Sequence, residues 1–330
     1  SYSAPTFWWR QTPGTFSLFS ILRQLLFCLT FFGWSGTTYA DGAGFSQGFE
    51  PTQQGVYPLP ELNGEWETFE SIHTRVHHRP EDSGTARALL LHAETALPRL
   101  ASELDLPTGR AIDIFLTPDA NLFRDLQPGP PPQWADATAW PQSGMIFLRT
   151  PNQRGRGAQP LTQVLDHELV HILLGRAFAP NSVPSWIQEG AAQLLAREYT
   201  PAVTEQLASG LLGDNLMELD DLTSGFPQGT SRAALAYAQS ADLMAHIRTE
   251  YGESSFQQLI HHMADGKPAD AAIRLATGRS MTDVDREWRN RLESSPLWLK
   301  AIVSDTSLLA ITGLLFALGF WSFRKRKKAI

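Results

Sequence analysis

Residues 166–171 read DHELVH, within the mostly apolar run LTQVLDHELVHILLG. We predict a helix over 160–176 whose apolar residues pack into the core. Because four residues turn a helix by about 400°, His167 and His171 lie about 40° apart on one face, one turn apart in height. Two imidazoles in this arrangement can bind one Zn²⁺. Glu168 lies about 100° round the helix from the first histidine, too oblique for a good third ligand, but it can deprotonate a water that the metal holds.

A second glutamate is the candidate for the third ligand. Glu189 follows His171 by 18 residues, in the run PSWIQEGAAQLL, for which we predict a helix over 184–198. Two antiparallel helices joined by the loop 177–183 bring this carboxylate over the two histidines. The small residues at 190–192 permit a close approach of helices around the metal. The alternative is a solvated acid on a surface helix.

The two motifs together resemble a known family. HELVH at 167–171 followed by WIQEGAA at 186–192 is similar to the gluzincin metallopeptidases, specifically the bacterial peptidase MA-like domains, over about residues 69–292. The resemblance implies a zincin-like fold and three zinc ligands, His167, His171 and Glu189. It also implies that Glu168 acts as general base and then as general acid in peptide hydrolysis.

Two further residues are interpreted through this resemblance. Tyr237, in LAYAQS, resembles the tyrosine of a peptidase MA-like helix, so its hydroxyl is a candidate donor to the developing oxyanion; the alternative is a core tyrosine. Gln193 lies one turn after Glu189, where thermolysin-like gluzincins have an aspartate that orients a ligand histidine. A carboxamide accepts an imidazole N–H but does not raise the basicity of the ligand as a carboxylate does.

The order of predicted elements indicates an α+β domain over residues 65–295, with a mixed sheet and helices first and a mainly helical half after it. The predicted early elements are a strand at 66–77, a helix at 83–104, a strand at 111–116 and a hairpin of strands at 134–140 and 144–150. The predicted later helices are at 160–176, 184–198, 231–251, 254–263, 269–276 and 282–292. By the resemblance, the strand at 144–150 is the sheet edge to which a substrate peptide adds.

Both ends of the chain indicate a membrane location. Residues 1–40 contain two arginines, an apolar run and small residues before Ala40, which predicts a signal peptide; an uncleaved anchor is the alternative. The Gly- and Pro-rich residues 41–64 are predicted to form a flexible leader.

A C-terminal transmembrane helix is predicted over 304–323, because residues 306–323 carry no charge and span about 27 Å as a helix. The basic tail 324–330 follows and stays cytoplasmic. This orientation places the body of the chain on the extracytoplasmic, periplasmic side. The alternative is a buried core helix.

Composition limits the function classes. Hydrophobic residues make up 42% of the 330-residue chain and charged residues 18%, which is typical of a packed globular protein. Cys28 is the only cysteine, which excludes an intrachain disulfide and a cysteine metal site. The net charge is −7, and residues 41–300 are more acidic still, because both ends are basic; we therefore expect no nucleic-acid partner.

We expect a membrane-anchored zinc metallopeptidase whose partners are a protein or peptide substrate and the membrane. Two alternatives remain open: a zinc-dependent hydrolase of another envelope amide, and a catalytically weak or inactive metal-binding module that recruits envelope partners. The second alternative rests on Gln193.

Overall fold

The computed structural model describes residues 55–132, 135–155, 157–223, 225–226 and 230–296, and residues 312, 313, 316 and 320. The predicted signal peptide, the basic tail and most of the predicted transmembrane segment lie outside these residues. Within the part that is described, no helix is both long and apolar enough to cross a membrane.

A mixed sheet of five strands forms the first half of the domain. The strands are β1 (Glu67–Glu70), β2 (Thr74–His78), β3 (Ile112–Thr117), β4 (Ala137–Trp140) and β5 (Met145–Arg149). Their spatial order is β1-β2-β3-β5-β4, with β2, β3 and β5 parallel and the two outer strands antiparallel to their neighbours.

Helices lie between the strands and make up the second half. They are α1 (Ser83–Leu104), α2 (Ala120–Asp125), α3 (Leu161–Phe178), α4 (Ser185–Leu195), α5 (Pro201–Leu212), α6 (Thr230–Glu250), α7 (Glu253–Ala264), α8 (Ala269–Thr277) and α9 (Met281–Ser294). This order confirms the predicted α+β class. Helix α5 has no counterpart in the sequence prediction.

The predicted single strand at 66–77 is wrong, because the chain turns back at residues 71–73. The amide N–H of Ser71 donates to the carbonyl of Thr74 at 2.9 Å. The carboxylate of Glu94, from α1, accepts from the Ser71 hydroxyl and from the N–H of His73. The turn therefore depends on a side chain of another element and has no glycine or proline to mark it.

The sheet buries one face against helices α1 and α3. Strand register places fully buried aliphatic residues on this face, among them Val76, Ile114, Ile146 and Leu148. The opposite face carries an aromatic cluster of Phe115, Phe123, Ala135, Trp140, Met145 and Phe147, and Leu62 packs against it. The described part of the predicted leader, residues 55–64, forms no helix or strand and lies against this side of the sheet.

The strand predicted as the substrate-binding edge is not at the edge. Strand β5 pairs with β3 on one side and with β4 on the other, so β4 is the outer strand. The N–H of Arg149 donates to the carbonyl of Asp136 at 3.0 Å. Since pairing groups alternate along an antiparallel strand, Ala137 and Ala139 direct their peptide groups away from β5.

Helix α3 lies in the centre of the domain. Every residue from Val164 to Gly175 is buried, as expected of a helix that contacts the sheet on one side and other helices on the rest. Its last turn is fixed to the sheet, because the Gln142 amide donates to the carbonyl of Gly175 at 2.8 Å. The positions of the side chains on α3 are therefore set from both sides.

Candidate metal centre

Three predicted ligands converge where α3 meets α4. The Nε2 atoms of His167 and His171 are 3.0 Å apart. The carboxylate oxygens of Glu189 lie 3.4 Å from the Nε2 of His171 and 3.7 Å from that of His167. The three side chains are at most 3% exposed. The two helices thus bring together the residues that the sequence singled out.

The donor set is compatible with a Zn²⁺ site. Taking one ligand atom from each residue, the three atoms lie within 4.8 Å of one another, and two imidazole nitrogens with one carboxylate oxygen are the donors of a catalytic zinc site. Within the described residues, neither carboxylate oxygen of Glu189 has a hydrogen-bond partner. A buried carboxylate left unpartnered is costly, and a cation bound here would offset that cost.

The charged groups around the site also favour a bound cation. Burial, together with the charges of Glu189 and Glu198, raises the pKa of Glu168 to about 8, although the charge of His167 acts to lower it. Burial also raises the pKa of Glu189, against the nearby charge of His167. Three buried carboxylates, Glu168, Glu189 and Glu198, thus lie around His167, and a divalent cation bound here would balance their charge.

The two ligand histidines differ in their surroundings. Burial lowers the pKa of His171 well below its usual range, and the charge of His167 lowers it further. Burial also acts to lower the pKa of His167, but the charge and hydrogen bond of Glu198 and the nearby charge of Glu189 outweigh it and raise that pKa well above its usual range.

Glu168 is buried next to the three candidate ligands but is not one of them. It is 1% exposed, next to His167 on α3, and outside the group of three donors. Its Oε1 has no hydrogen-bond partner in the described part of the chain. A carboxylate oxygen that is buried and unpartnered is available to hold a water and to take its proton.

Sequence reasoning missed Glu198. Its Oε1 lies 3.1 Å from the Nδ1 of His167. Because a carboxylate only accepts, Nδ1 carries the proton and Nε2 keeps its lone pair for a metal. Gln193, which stands where thermolysin-like gluzincins have the orienting aspartate, is buried, and its side-chain oxygen has no partner among the described residues.

The position of Glu198 explains why no helical spacing pointed to it. Helix α4 ends at Leu195, and Arg197 adopts a left-handed conformation with φ 59°. The amide of Gln163, on α3 one turn before His167, donates to the carbonyl of Arg197 at 2.8 Å. The carboxylate therefore comes from a turn that α3 itself holds in place.

The small residues after Glu189 serve a different contact from the predicted one. A Cβ at Gly190 would lie 2.6 Å from Cγ of Met244 and closer still to the carbonyl oxygen of Ser240. Both belong to α6, so the close approach is between α4 and α6. The glycine lets α4 lie against the backbone of α6.

Tyr237 lies on the side of α6 that faces α4, because Ser240 and Met244 follow it at helical spacing and contact Gly190. Its side chain is buried and packs edge-on against Phe226, with ring centroids 4.7 Å apart. Its role as an oxyanion donor stays a prediction.

Asp166 is placed away from the ligand histidines. Its carboxylate accepts from Arg99 at 2.7 Å and lies 2.6 Å from the Nε2 of His92. Both partners are on α1, so Asp166 connects α3 to α1.

Comparison with known proteins identifies the family. The sequence profile of the Peptidase MA superfamily matches residues 92–294. The match covers more than half of the chain, which belongs to this superfamily; the resemblance to a gluzincin-like peptidase MA domain is confirmed. No curated protein sequence matches the chain.

Two solved structures are similar in part. A point mutant of an M1 zinc metallopeptidase from Deinococcus radiodurans is 15% identical, with 71% of this chain and 53% of that chain covered and a TM-score of 0.39. A functionally unknown conserved protein from Bacillus anthracis str. Ames is 11% identical, with 73% and 55% covered and a TM-score of 0.41. The chain spans about half the length of each.

Proposed function

We propose that this member of the Peptidase MA superfamily is a zinc-dependent metallopeptidase that hydrolyses peptide bonds. The observation that carries the proposal is the convergence of His167, His171 and Glu189 beside the unpartnered carboxylate oxygen of Glu168. A site that only stores or displays a metal has no need of a buried base next to its ligands.

The chemistry divides between the metal and the chain. His167, His171 and Glu189 would hold a zinc ion, which would supply Lewis-acid activation of the scissile carbonyl and of the attacking water. Glu168 takes the proton of the attacking water and delivers it to the leaving amine. Glu198 holds the proton on Nδ1 of His167 and so fixes the orientation of that ring. The hydroxyl of Tyr237 donates to the oxyanion as it develops.

A peptide substrate adds to the outer strand β4. The peptide groups of Ala137 and Ala139 point away from β5, and no described residue outside the sheet forms a hydrogen bond with them. Both residues are at most 4% exposed, so the chain that covers them must move aside for a peptide to pair there. Strand β4 also contacts α3, which carries the base and two ligands. Pairing with β4 therefore supplies backbone hydrogen bonds that do not depend on the substrate sequence.

We also propose that the domain is anchored on the extracytoplasmic side of the cell membrane. The support is the uncharged run at 306–323, followed at once by the basic tail 324–330. Alkaline carbonate extraction of membranes tests this: the full chain stays with the pellet if a helix spans the bilayer. Recovery of the chain in the supernatant would contradict the proposal.

The function is tested by zinc content and peptide cleavage on the full chain. We expect about one zinc per chain, lost in His171→Ala. Glu168→Gln keeps the zinc and lowers turnover of an unstructured protein substrate by about 10²- to 10⁴-fold. Cleavage that survives Glu168→Gln would overturn the mechanism. Zinc binding without cleavage of any peptide would favour a hydrolase of another amide or an inactive module.

A further inference from the structure

Asp242, on α6, is a buried carboxylate outside the group of metal ligands. It is 2% exposed and accepts from three side chains. The indole N–H of Trp288 donates to its Oδ2 at 2.7 Å, and Arg291 donates to the same oxygen. Both donors belong to α9. The third donor is the hydroxyl of Tyr199, which donates to Oδ1.

Tyr199 is the residue directly after Glu198, in the irregular segment between α4 and α5. No helix or strand ladder fixes residues 198–200. The Glu198 N–H donates to the carbonyl of Gln193 at 2.9 Å, which holds the segment at one end. The Gln163 amide holds the carbonyl of Arg197, directly before Glu198, and the bond from Tyr199 to Asp242 holds the residue directly after it.

We infer that Tyr199 and Asp242 are positioning residues of the metal centre, which hold Glu198 against Nδ1 of His167 and so raise the affinity for zinc. The inference rests on the proposed zinc centre. By this inference, α9 contributes no ligand but helps to orient the imidazole of His167. The path runs from α9 through Asp242 and Tyr199 to Glu198 and then to the ligand.

The chemistry of the tyrosine suits this role. Burial raises the pKa of Tyr199, and the charge and hydrogen bond of Asp242 raise it further. The hydroxyl therefore stays protonated at neutral pH and donates to the carboxylate. Since Trp288 and Arg291 also bond to Asp242, the carboxylate stays in place when the tyrosine hydroxyl is removed.

Tyr199→Phe is the most selective variant, because replacing Asp242 would leave two buried donors of α9 unpartnered. Tyr251→Phe is its matched control. The Tyr251 hydroxyl donates at 2.5 Å to Oε2 of Glu287, which is also on α9, but its sequence neighbours contact no metal ligand. Each variant removes one hydroxyl that bonds to a carboxylate.

Zinc dissociation constants of the full chain, measured by competition with a chelator, test the inference. We expect Tyr199→Phe to weaken zinc binding about three- to tenfold, less than loss of the carboxylate itself, which costs about ten- to a hundredfold. Tyr251→Phe should bind zinc as the wild type does. The melting temperatures of the metal-free variants show whether Tyr199→Phe and Tyr251→Phe lower the stability of the fold to the same extent.

A double variant separates positioning from a general loss of stability. If Tyr199 acts through Glu198, adding Tyr199→Phe to Glu198→Gln weakens zinc binding no further. An undiminished effect in that background would overturn the inference, and so would a wild-type affinity of Tyr199→Phe alone. A wild-type chain that binds no zinc would instead overturn the proposed function, and the inference with it.

Discussion

Glu198 and Glu168 are both buried near His167, but they differ in their hydrogen-bond partners. Glu198 lies within hydrogen-bond distance of the Nδ1 of His167, whereas Glu168 keeps an unpartnered oxygen. The first is committed to orienting a ligand, and the second is available for proton transfer. The same side chain thus serves as a support or as a base according to what it contacts.

Glu198→Gln tests this assignment. The amide cannot carry the charge that strengthens the imidazole as a ligand, so we expect zinc binding to weaken about ten- to a hundredfold. Gln193→Met is the control, because the sequence placed the orienting group there and methionine has a similar size. It should leave zinc affinity unchanged. A loss of affinity in Gln193→Met alone would restore the sequence-based assignment.

At this scale, sequence predicts only what helical geometry fixes. The spacing of His167 and His171 within one helix determines that both face one point. The carboxylate of Glu198 reaches the site through a left-handed residue after α4 has ended, and no periodic pattern extends across such a turn. A residue outside a regular element is placed by tertiary contacts, here by the amide of Gln163.

At the scale of elements, the contact between α4 and α6 fixes the third ligand. Gly190 lies against the backbone of Ser240, directly after Glu189. Gly190→Ala must separate the two helices, which we expect to lower the free energy of unfolding by about 1–3 kcal/mol and to weaken zinc binding. Denaturant unfolding with and without zinc measures both effects.

Gly84→Ala is the matched control for this substitution. Gly84 also lies in a helix, α1, but a Cβ there meets nothing within 4 Å. Alanine favours the helix, so the variant should be as stable as the wild type or more so, by up to about 1 kcal/mol. Equal effects at the two glycines would show that the α4–α6 approach is not tight.

An ion pair on the same face of the sheet as the aromatic cluster, the buried Asp113 with Arg75 and His77, predicts a dependence of stability on pH. Burial acts to raise the pKa of Asp113, but the hydrogen bonds and charges of His77 and Arg75 outweigh it and lower the pKa below 3.8. A carboxyl whose pKa is lower when folded stabilises the fold above its unfolded pKa. That contribution is lost as the pH falls through the folded pKa.

Asp113→Asn isolates this contribution, because other titrating groups are common to both chains. We expect the wild type to be more stable by a constant amount above about pH 5, and the difference to shrink as the pH falls towards 3. Urea unfolding across this range measures it. A difference that does not change with pH would contradict the proposed ionic role.

The turn at 71–73 and the strand order show what the sequence of an element leaves open. Alternating residues in 66–77 suit one long strand as well as two short ones, and Glu94 of α1 decides between them. Likewise, the sequence of the turn predicts the hairpin of β4 and β5. It does not predict which of the two strands lies at the edge, because that depends on the pairing of β5 with β3.

At the scale of the whole molecule, the metal centre lies where the sheet-bearing half meets the helical half. Helix α3 packs on the sheet, α4 packs on α3 and α6, and Asp242 of α6 bonds to α9. The ligands come from two helices, so a bound ion joins elements that otherwise separate on unfolding. Metal binding and global stability are therefore coupled.

Removal of zinc should accordingly lower the melting temperature of the full chain. Without a cation the buried carboxylates of Glu168, Glu189 and Glu198 are left to one another and to His167, whereas zinc at a hundred times its dissociation constant adds about 2.7 kcal/mol to the free energy of unfolding. Calorimetry with a chelator and after zinc is restored measures the shift.

His171→Ala is the control. It should melt at one temperature whether or not zinc is present, because the loss of one ligand leaves too little zinc affinity to stabilise the fold. If the wild type melts at the same temperature in chelator and in zinc, the folded chain does not bind the ion through His167, His171 and Glu189.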